Sequence, residues 1–254
     1  MRRWRKAAAV LMAGALAVAA VSGCAKKQDP KEIYSAAMEK NSALDSVDMD
    51  VTMKMAMTAD EESMDMEVSS NTKMDQSDKE HVKFITASSV AMDGMNMETT
   101  VFYEDGYYYM EAMGQKMKYP MDLESLTAQI QESVGSTTLP VESLDTVEVK
   151  KDGDNQILTF TANPEKMNDY LGQVMGAMGD VSQVSGLNMT INSADGEYTD
   201  MKMNLDLSME SQGASVGMIL DITGTVHQPG QPVEITLPDT ADYVEIDPAL
   251  LGAS

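Results

Sequence analysis

The most restrictive feature of this chain is a one-by-one alternation of apolar and polar residues. In its clearest example, between Asp200 and Glu210, apolar residues occupy every second position: Met201, Met203, Leu205, Leu207 and Met209. Similar runs cover residues 49–57, 64–68 and 216–222. A period of two places all the apolar side chains of a β-strand on one face. The sequence therefore predicts long antiparallel strands, each with one buried and one solvated face.

Four Asp-Gly pairs separate the strand regions and predict hairpin turns: Asp93-Gly94, Asp105-Gly106, Asp152-Gly153 and Asp195-Gly196. This dipeptide is typical of two-residue type I′ turns, because both central residues of such a turn need positive φ. A turn at Asp93-Gly94 sets Met92 opposite Met95 and Val90 opposite Met97. The hydrophobic pattern also places these four residues on one face, so the two signals predict the same register.

Three other segments have the spacing and the end signals of helices. The first begins at Asp29-Pro30, a capping residue followed by a residue suited to the first helical turn, and its apolar stripe is Ile33, Ala36, Ala37, Met38 and Leu44. The second follows a cap at Asp122, with Leu123, Leu126, Ile130 and Val134 on one side. The third follows Asn163-Pro164, with Met167, Leu171, Val174 and Met178. We therefore expect an α+β fold, an antiparallel sheet packed on one N-terminal and two inserted helices.

The first 24 residues are typical of a bacterial lipoprotein signal. Residues 1–6 are basic, residues 7–21 are a small apolar run too short to span a bilayer, and Val21-Ser22-Gly23-Cys24 resembles a lipobox. An ordinary secretory signal with a chance Cys is the alternative. We expect a signal peptide at 1–23, a lipidated tether at 24–28 and a single domain at 29–254. Diacylglycerol and an N-acyl chain such as palmitate on Cys24 would hold the domain on the outer face of the cytoplasmic membrane.

Composition excludes several classes of function. The chain has 41 acidic and 18 basic residues and a net charge of −23, which repels nucleic acid. One Cys and two His leave no disulfide framework and no ordinary zinc site. Nucleotide-binding and hydrolase motifs are absent, and the one Trp, Trp4, lies in the signal segment. We therefore expect no catalytic residues, no metal, and no cofactor other than the covalent diacylglycerol.

The 25 Met residues, beside three Phe and one Trp, indicate where a function could lie. Met loses more side-chain entropy on burial than Ile or Leu, whereas its flexible thioether suits a surface that repacks around varied apolar guests. We expect an apolar binding face that includes Met53, Met55, Met66, Met97, Met203 and Leu205. Two alternatives stay open. One is a structural or protein-interaction module with a filled core.

The other alternative is a Cu(I)-binding protein, since Met-x-Met recurs and thioethers select Cu(I). The same spacing arises in any Met-rich strand by alternation. The two histidines that could assist copper binding, His81 and His227, fall on the polar sides of predicted strands. We therefore expect both at the surface.

The order of these features resembles the LolA/LolB-like and LppX/LprG-like bacterial lipoproteins, and most closely the uncharacterised Firmicute lipoproteins of that fold. The local likeness is Val101-Phe-Tyr-Glu-Asp-Gly-Tyr-Tyr-Tyr109 followed by Gly114-Gln-Lys-Met-Lys-Tyr-Pro-Met121. The resemblance implies a strongly curved, open half-barrel with helices on its concave side and room for acyl chains. It implies no catalytic residues. Met replaces much of the bulkier aliphatic and aromatic lining of those families.

Together these observations predict a membrane-anchored, monomeric extracytoplasmic lipoprotein. Its expected ligand is a lipid or another apolar molecule, bound without catalysis in a Met-rich concave face.

Overall fold

A computed structural model describes residues 29–59, 62–128, 139–153, 155–163, 165–167, 180–194, 197–211 and 214–247. Twelve strands form one sheet. They are β1 (Ser46–Ala59), β2 (Glu62–Asp75), β3 (Lys83–Met92), β4 (Met95–Glu104), β5 (Tyr107–Ala112), β6 (Gln115–Pro120), β7 (Leu144–Asp152), β8 (Asn155–Ala162), β9 (Asp180–Ala194), β10 (Glu197–Ser211), β11 (Ala214–Val226) and β12 (Val244–Glu245). Helix α1 covers Pro30–Ser42, and a short 3₁₀ helix covers Val141–Ser143.

Two antiparallel meanders, β1–β6 and β7–β11, lie side by side in this sheet. They join where β1 pairs with β11, so the strand order is β12-β6-β5-β4-β3-β2-β1-β11-β10-β9-β8-β7. The sheet is curved but not closed, because β12 and β7 are its two end strands. The predicted α+β class and open half-barrel are confirmed.

The helix α1 begins as predicted and packs on the β7–β11 half of the sheet. Asp29 Oδ1 accepts a hydrogen bond of 2.9 Å from the Lys31 amide, and Pro30 is the first helical residue. The predicted apolar stripe is only partly correct. Ala36 is exposed and Leu44 lies beyond the helix end, whereas Tyr34, outside the predicted stripe, is buried. We call the sheet face against α1 the inner, concave face.

Tyr34 anchors this helix because it satisfies both an apolar and a polar requirement. Its ring meets Phe160 edge-on with 5.2 Å between centroids, and its hydroxyl donates to the Leu139 carbonyl at 3.0 Å. A buried Tyr needs such a partner for its hydroxyl group. Leu158, Leu205 and other inner-facing residues complete the same apolar cluster. The main core therefore lies between the inner face and α1.

The two inserted helical segments begin at the predicted caps. Residues 123–128 are helical, and the Ser125 amide donates to Asp122 Oδ1 at 2.7 Å. Residues 165–167 are helical, and the Lys166 amide donates to Asn163 Oδ1 at 3.2 Å. Met167 packs into the main core. The predicted continuations, with Ile130, Val134, Leu171, Val174 and Met178, lie outside the described residues.

Within the described part of the chain, no helix combines the length and the apolar character that a membrane span requires.

Two of the Asp-Gly turns are confirmed in full. Asp93-Gly94 has φ of 51° and 78°, and Asp105-Gly106 has φ of 50° and 82°. The predicted pairs Met92–Met95 and Val90–Met97 are also correct. The Asp152-Gly153 turn is shifted by one residue, because Asp152 still pairs with Asn155 and Gly153 takes the first central position. Asp195-Gly196 lies outside the described residues, and the sequence did not predict the third turn of this kind, Met113-Gly114.

A second, smaller core lies on the outer face of β4–β6. Phe102 and Tyr109 stack with 4.6 Å between ring centroids, and Tyr243 meets both rings edge-on. Tyr243 belongs to residues 227–247, which we call the C-terminal strap, and burial is the main reason that its pKa rises to about 12. The strap ends in β12, which pairs parallel with β6. The sequence did not predict this second core.

Candidate functional site: an uncharged inner wall

Strand pairing aligns the predicted binding residues in two neighbouring rows across the sheet. The first row runs Leu205, Leu220, Met55, Met66, Met92, Met95 from β10 to β4. The second runs Met203, Ile222, Met53, Val68, Val90, Met97 over the same strands. Side chains that pair directly across antiparallel strands share a face. The structure therefore brings all six predicted residues to the inner face, in what we call the two apolar rows.

Burial decreases steadily along the first row. Leu205 is 3% exposed and belongs to the main core, as do Leu220 and Met55. Met66 and Met92 are half-buried, and Met95 at the end of the row is 59% exposed. The second row has half-buried Met203 and Met53 and ends at exposed Met97. The rows thus pass from permanent core at β10 to an accessible apolar surface at β4.

The accessible part of the rows spans a distance typical of lipid chains. From β1 to β4 there are three inter-strand steps of about 4.8 Å, or about 14 Å in total. One leaflet of a bilayer has a hydrocarbon layer of about 15 Å. The surface from half-buried Met53 on β1 to exposed Met97 on β4 therefore matches the thickness of one layer of acyl chains.

Charge is segregated completely between the two faces of β1–β4 over residues 47–57, 64–74, 84–92 and 95–103. The inner-facing positions in these ranges, which we call the inner wall, carry no charged residue. The outer-facing positions in the same ranges carry seven acidic or basic residues: Asp48, Asp50, Lys54, Asp65, Glu67, Lys73 and Glu98. In a chain with a net charge of −23, an uncharged wall of this size is a defined apolar surface.

Within the inner wall, the two apolar rows are followed by rows of polar but uncharged side chains. Ser70, Ser88 and Thr99 form the next row, and Thr72 and Thr86 follow with 2.9 Å between their hydroxyl oxygens. Hydroxyl groups both donate and accept hydrogen bonds. The wall therefore combines an apolar part with a neutral hydrogen-bonding border.

Tyrosines close the wall at its other end. Tyr103, Tyr108 and Tyr119 pair across β4, β5 and β6. Burial raises the pKa of all three, and that of Tyr108 to about 12. Their hydroxyl groups are neutral at physiological pH, so this end of the wall adds no charge.

Both histidines lie at the surface, as the sequence predicted. His227 follows β11, and its Nε2 is 2.7 Å from Asp50 Oδ2. His81 does not lie in a strand, because β2 ends at Asp75 and β3 begins at Lys83. Its Nδ1 is 2.9 Å from Asp78 Oδ2, and this hydrogen bond raises the pKa of His81. No group of three or more His, Cys, Asp or Glu side chains that could hold a metal occurs among the described residues.

An open depression of about 340 Å³ lies behind the inner wall. It is bordered by outer-facing Lys54, Ala56, Glu67 and Asp221, and it also touches Met55. Its rim is charged, with Lys54 Nζ 3.6 Å from Glu67 Oε2. Its lining also includes Met66 and Met92, so the depression meets the first apolar row from the charged outer side of the sheet.

A curved sheet with an uncharged, methionine-rich inner wall defines the class of this protein: a half-barrel with an apolar concave face. The chain belongs to DUF6612, a family of unknown function, whose model matches residues 29–243. No curated protein matches the chain.

Several solved structures are similar to this chain. LprF from Mycobacterium bovis has 13% identity over 84% of this chain and 97% of that chain, with a TM-score of 0.44. The lipoprotein LppX from Mycobacterium tuberculosis has 10% identity over 82% and 98%, with a TM-score of 0.40. The LolA superfamily protein NE2245 from Nitrosomonas europaea has 9% identity over 78% and 94%, with a TM-score of 0.26. The predicted resemblance to LolA-like and LppX-like proteins is confirmed. Likeness at this level does not extend to function.

Proposed function

We propose that this protein is a non-catalytic extracytoplasmic lipoprotein that holds the apolar part of a lipid against its inner wall. The observation that carries the proposal is the segregation of charge: the inner wall is uncharged, whereas the outer face of the same strands is densely charged. A sheet face exposed to water alone has no physical reason to exclude charge. An apolar occupant supplies that reason.

The energy available to such an occupant is sufficient for binding. Fully burying a Met side chain is worth roughly 1.5–3 kcal/mol. Covering the accessible halves of Met66, Met92, Met95 and Met97 would therefore contribute about 3–6 kcal/mol, and each buried methylene of the ligand adds about 0.8 kcal/mol. Together these terms reach the range of micromolar affinity, which corresponds to about 8 kcal/mol.

The proposed binding surface is narrower than the six predicted residues. Met55 and Leu205 are already covered by the main core, so they offer almost no surface to a ligand. Met53, Met66, Met97 and Met203 keep accessible area. The hydroxyl groups of Ser70, Ser88 and Thr99 would receive the polar end of an amphiphile, since they border the apolar rows.

The N-terminal segment supports a location next to a membrane. With Cys24 acylated, the five residues from Cys24 to Gln28 could extend at most about 18 Å before α1 begins at Pro30. The proposed anchor would therefore keep the half-barrel within reach of lipid on the outer face of the cytoplasmic membrane. A Cys24→Ala variant tests the anchor. Loss of palmitate labelling together with release from the membrane fraction supports it, and unchanged labelling contradicts it.

Neighbouring residues on β3 provide a matched test of lipid binding. Met92 faces the inner wall, whereas Ala91 is exposed on the outer face. The full chain is extracted in detergent and titrated with palmitic acid, and adducts are counted by native mass spectrometry. We expect Met92→Lys to weaken palmitate binding at least about tenfold, because it places a charge in the apolar rows. Ala91→Lys should bind like the unmodified chain.

Three results would contradict the proposal. Equal effects of the two lysines would mean that the inner wall is not the site. A chain without palmitate adducts would favour a filled, purely structural or protein-interacting half-barrel. A chain that instead retains copper would favour the Cu(I) interpretation of its methionines.

A further inference from the structure

Methionines are prominent among the exposed apolar side chains of the described residues. Met113 is 82% exposed, Met95 is 59% exposed and Met97 is 40% exposed. Met95 and Met97 end the two apolar rows, whereas Met113 lies in the two-residue turn between β5 and β6. Exposed thioethers are the ones that oxidants in solution reach first. The accessible end of the inner wall is thus also its most oxidisable part.

We propose that Met95 and Met97 are oxidation sites through which peroxide weakens lipid binding. The inference rests on the proposed function, because it assigns a regulatory role to the same wall. Oxidation converts an apolar, flexible side chain into a polar one. A sulfoxide at Met95 or Met97 would place an oxygen acceptor at the end of an apolar row, where a bound chain offers no hydrogen-bond donor.

The chemical step balances with hydrogen peroxide as the oxidant. The thioether sulfur donates an electron pair to one peroxide oxygen, the O–O bond breaks and an S–O bond forms. The departing hydroxide takes up the remaining proton and leaves as water. Sulfur loses two electrons and peroxide gains them. Methionine sulfoxide reductases reverse this change, one class for each sulfoxide epimer, so the modification can act as a switch.

The structure provides an internal control for this proposal. Oxidation of Met113 should leave lipid binding unchanged, because its turn lies outside the apolar rows. Met55, at 7% exposure, should be protected by the main core. Met-to-Leu substitutions remove the sulfur and keep the volume and the apolar character.

The test uses the full chain in detergent, treated with increasing hydrogen peroxide and titrated with palmitic acid in a native mass spectrometer. Peptide mass spectrometry gives the order of oxidation. We expect Met113, Met95 and Met97 to oxidise before Met55, and palmitate affinity to fall at least about tenfold once Met95 and Met97 are oxidised. For the M95L/M97L double variant, the affinity after the same treatment should stay within about twofold of that variant's own untreated affinity. M113L should show the same treated-to-untreated loss as the unmodified chain.

The outcomes separate the inference from the proposed function. If the untreated chain does not bind palmitate, the proposed function fails and this inference fails with it. If the untreated chain binds and the oxidised chain binds equally well, the inference alone is overturned. Equal loss of affinity in M95L/M97L and in the unmodified chain would also overturn it, as would oxidation of Met55 before Met95.

Discussion

Truncating Met218 or its neighbour Ile219 tests which face of the sheet forms the core. The two residues are adjacent on β11, where Met218 points to the inner face with 1% exposure and Ile219 points outward with 47% exposure. Removing a fully buried Met side chain costs about 2–5 kcal/mol, because a cavity is left behind. Ile219→Ala loses about half of a transfer energy of roughly 1.5–3 kcal/mol, and water fills the space. We therefore expect costs of about 3 and about 1 kcal/mol.

Urea unfolding followed by circular dichroism measures this difference. With a slope of about 3 kcal/mol per molar urea, the midpoint should fall by about 1 M for Met218→Ala and by about 0.3 M for Ile219→Ala. Equal shifts would mean that the two faces are covered alike. A larger shift for Ile219→Ala would reverse the assignment of inner and outer faces and remove the basis of the inner wall.

Three further changes test single contacts. Asn41 exchanges hydrogen bonds of 2.9 and 3.2 Å with the Tyr198 backbone. Asn41→Ala should therefore lower the free energy of unfolding by about 2 kcal/mol and speed amide hydrogen exchange in α1. Unchanged exchange rates would contradict this prediction. Gly94 has φ of 78° and open space where a Cβ would lie. Gly94→Ala should therefore cost about 1–2 kcal/mol through backbone strain alone and lower the melting temperature. An unchanged melting temperature would refute this prediction. The hydrogen bond with His227 is the main cause that lowers the pKa of Asp50 below 3.8. The ionised Asp50 therefore stabilises the fold above about pH 4, and this stabilisation disappears as the pH falls through the lowered pKa. His227→Ala should raise that pKa in a carbon-detected NMR titration.

The strands and several hairpin registers could be predicted from the sequence because their causes are local. Alternation fixes which side chains share a face, and Asp-Gly chemistry fixes the turn that joins two strands. Both signals agreed at Asp93-Gly94, where the Met92–Met95 pair is correct. The helix caps at Asp29, Asp122 and Asn163 are also local and are confirmed.

The continuous rows could not be predicted, because they depend on contacts between distant parts of the chain. Alternation shows that Met55 and Leu205 each face a core, but not that Leu220 lies between them. That arrangement follows only from the pairing of β11 with both β1 and β10. Spacing likewise predicted that Ala36 belongs to the buried stripe of α1. The buried residue is Tyr34, because its ring packs on Phe160 and its hydroxyl donates to the Leu139 carbonyl.

The outer aromatic core was missed for a related reason. Alternation in the β4–β5 hairpin places Phe102 and Tyr109 on one face and Tyr103 and Tyr108 on the other, and both faces carry aromatic rings. The C-terminal strap has no period that identifies it as a cover. Only its packing, with Tyr243 against Phe102, shows that this part of the sheet is buried on its outer face.

The seam between β1 and β11 has a consequence for how the chain reaches this shape. Synthesis delivers Ser46–Ala59 long before Ala214–Val226, so the backbone groups along one side of the first hairpin stay unpaired until β11 has been made. Contacts of such long sequence separation make folding slow, and an unpaired edge attracts other chains in the meantime. The unpaired edge strand β1 carries three charged residues on its outer face: Asp48, Asp50 and Lys54. Their charges oppose premature association of this edge with another copy of the chain.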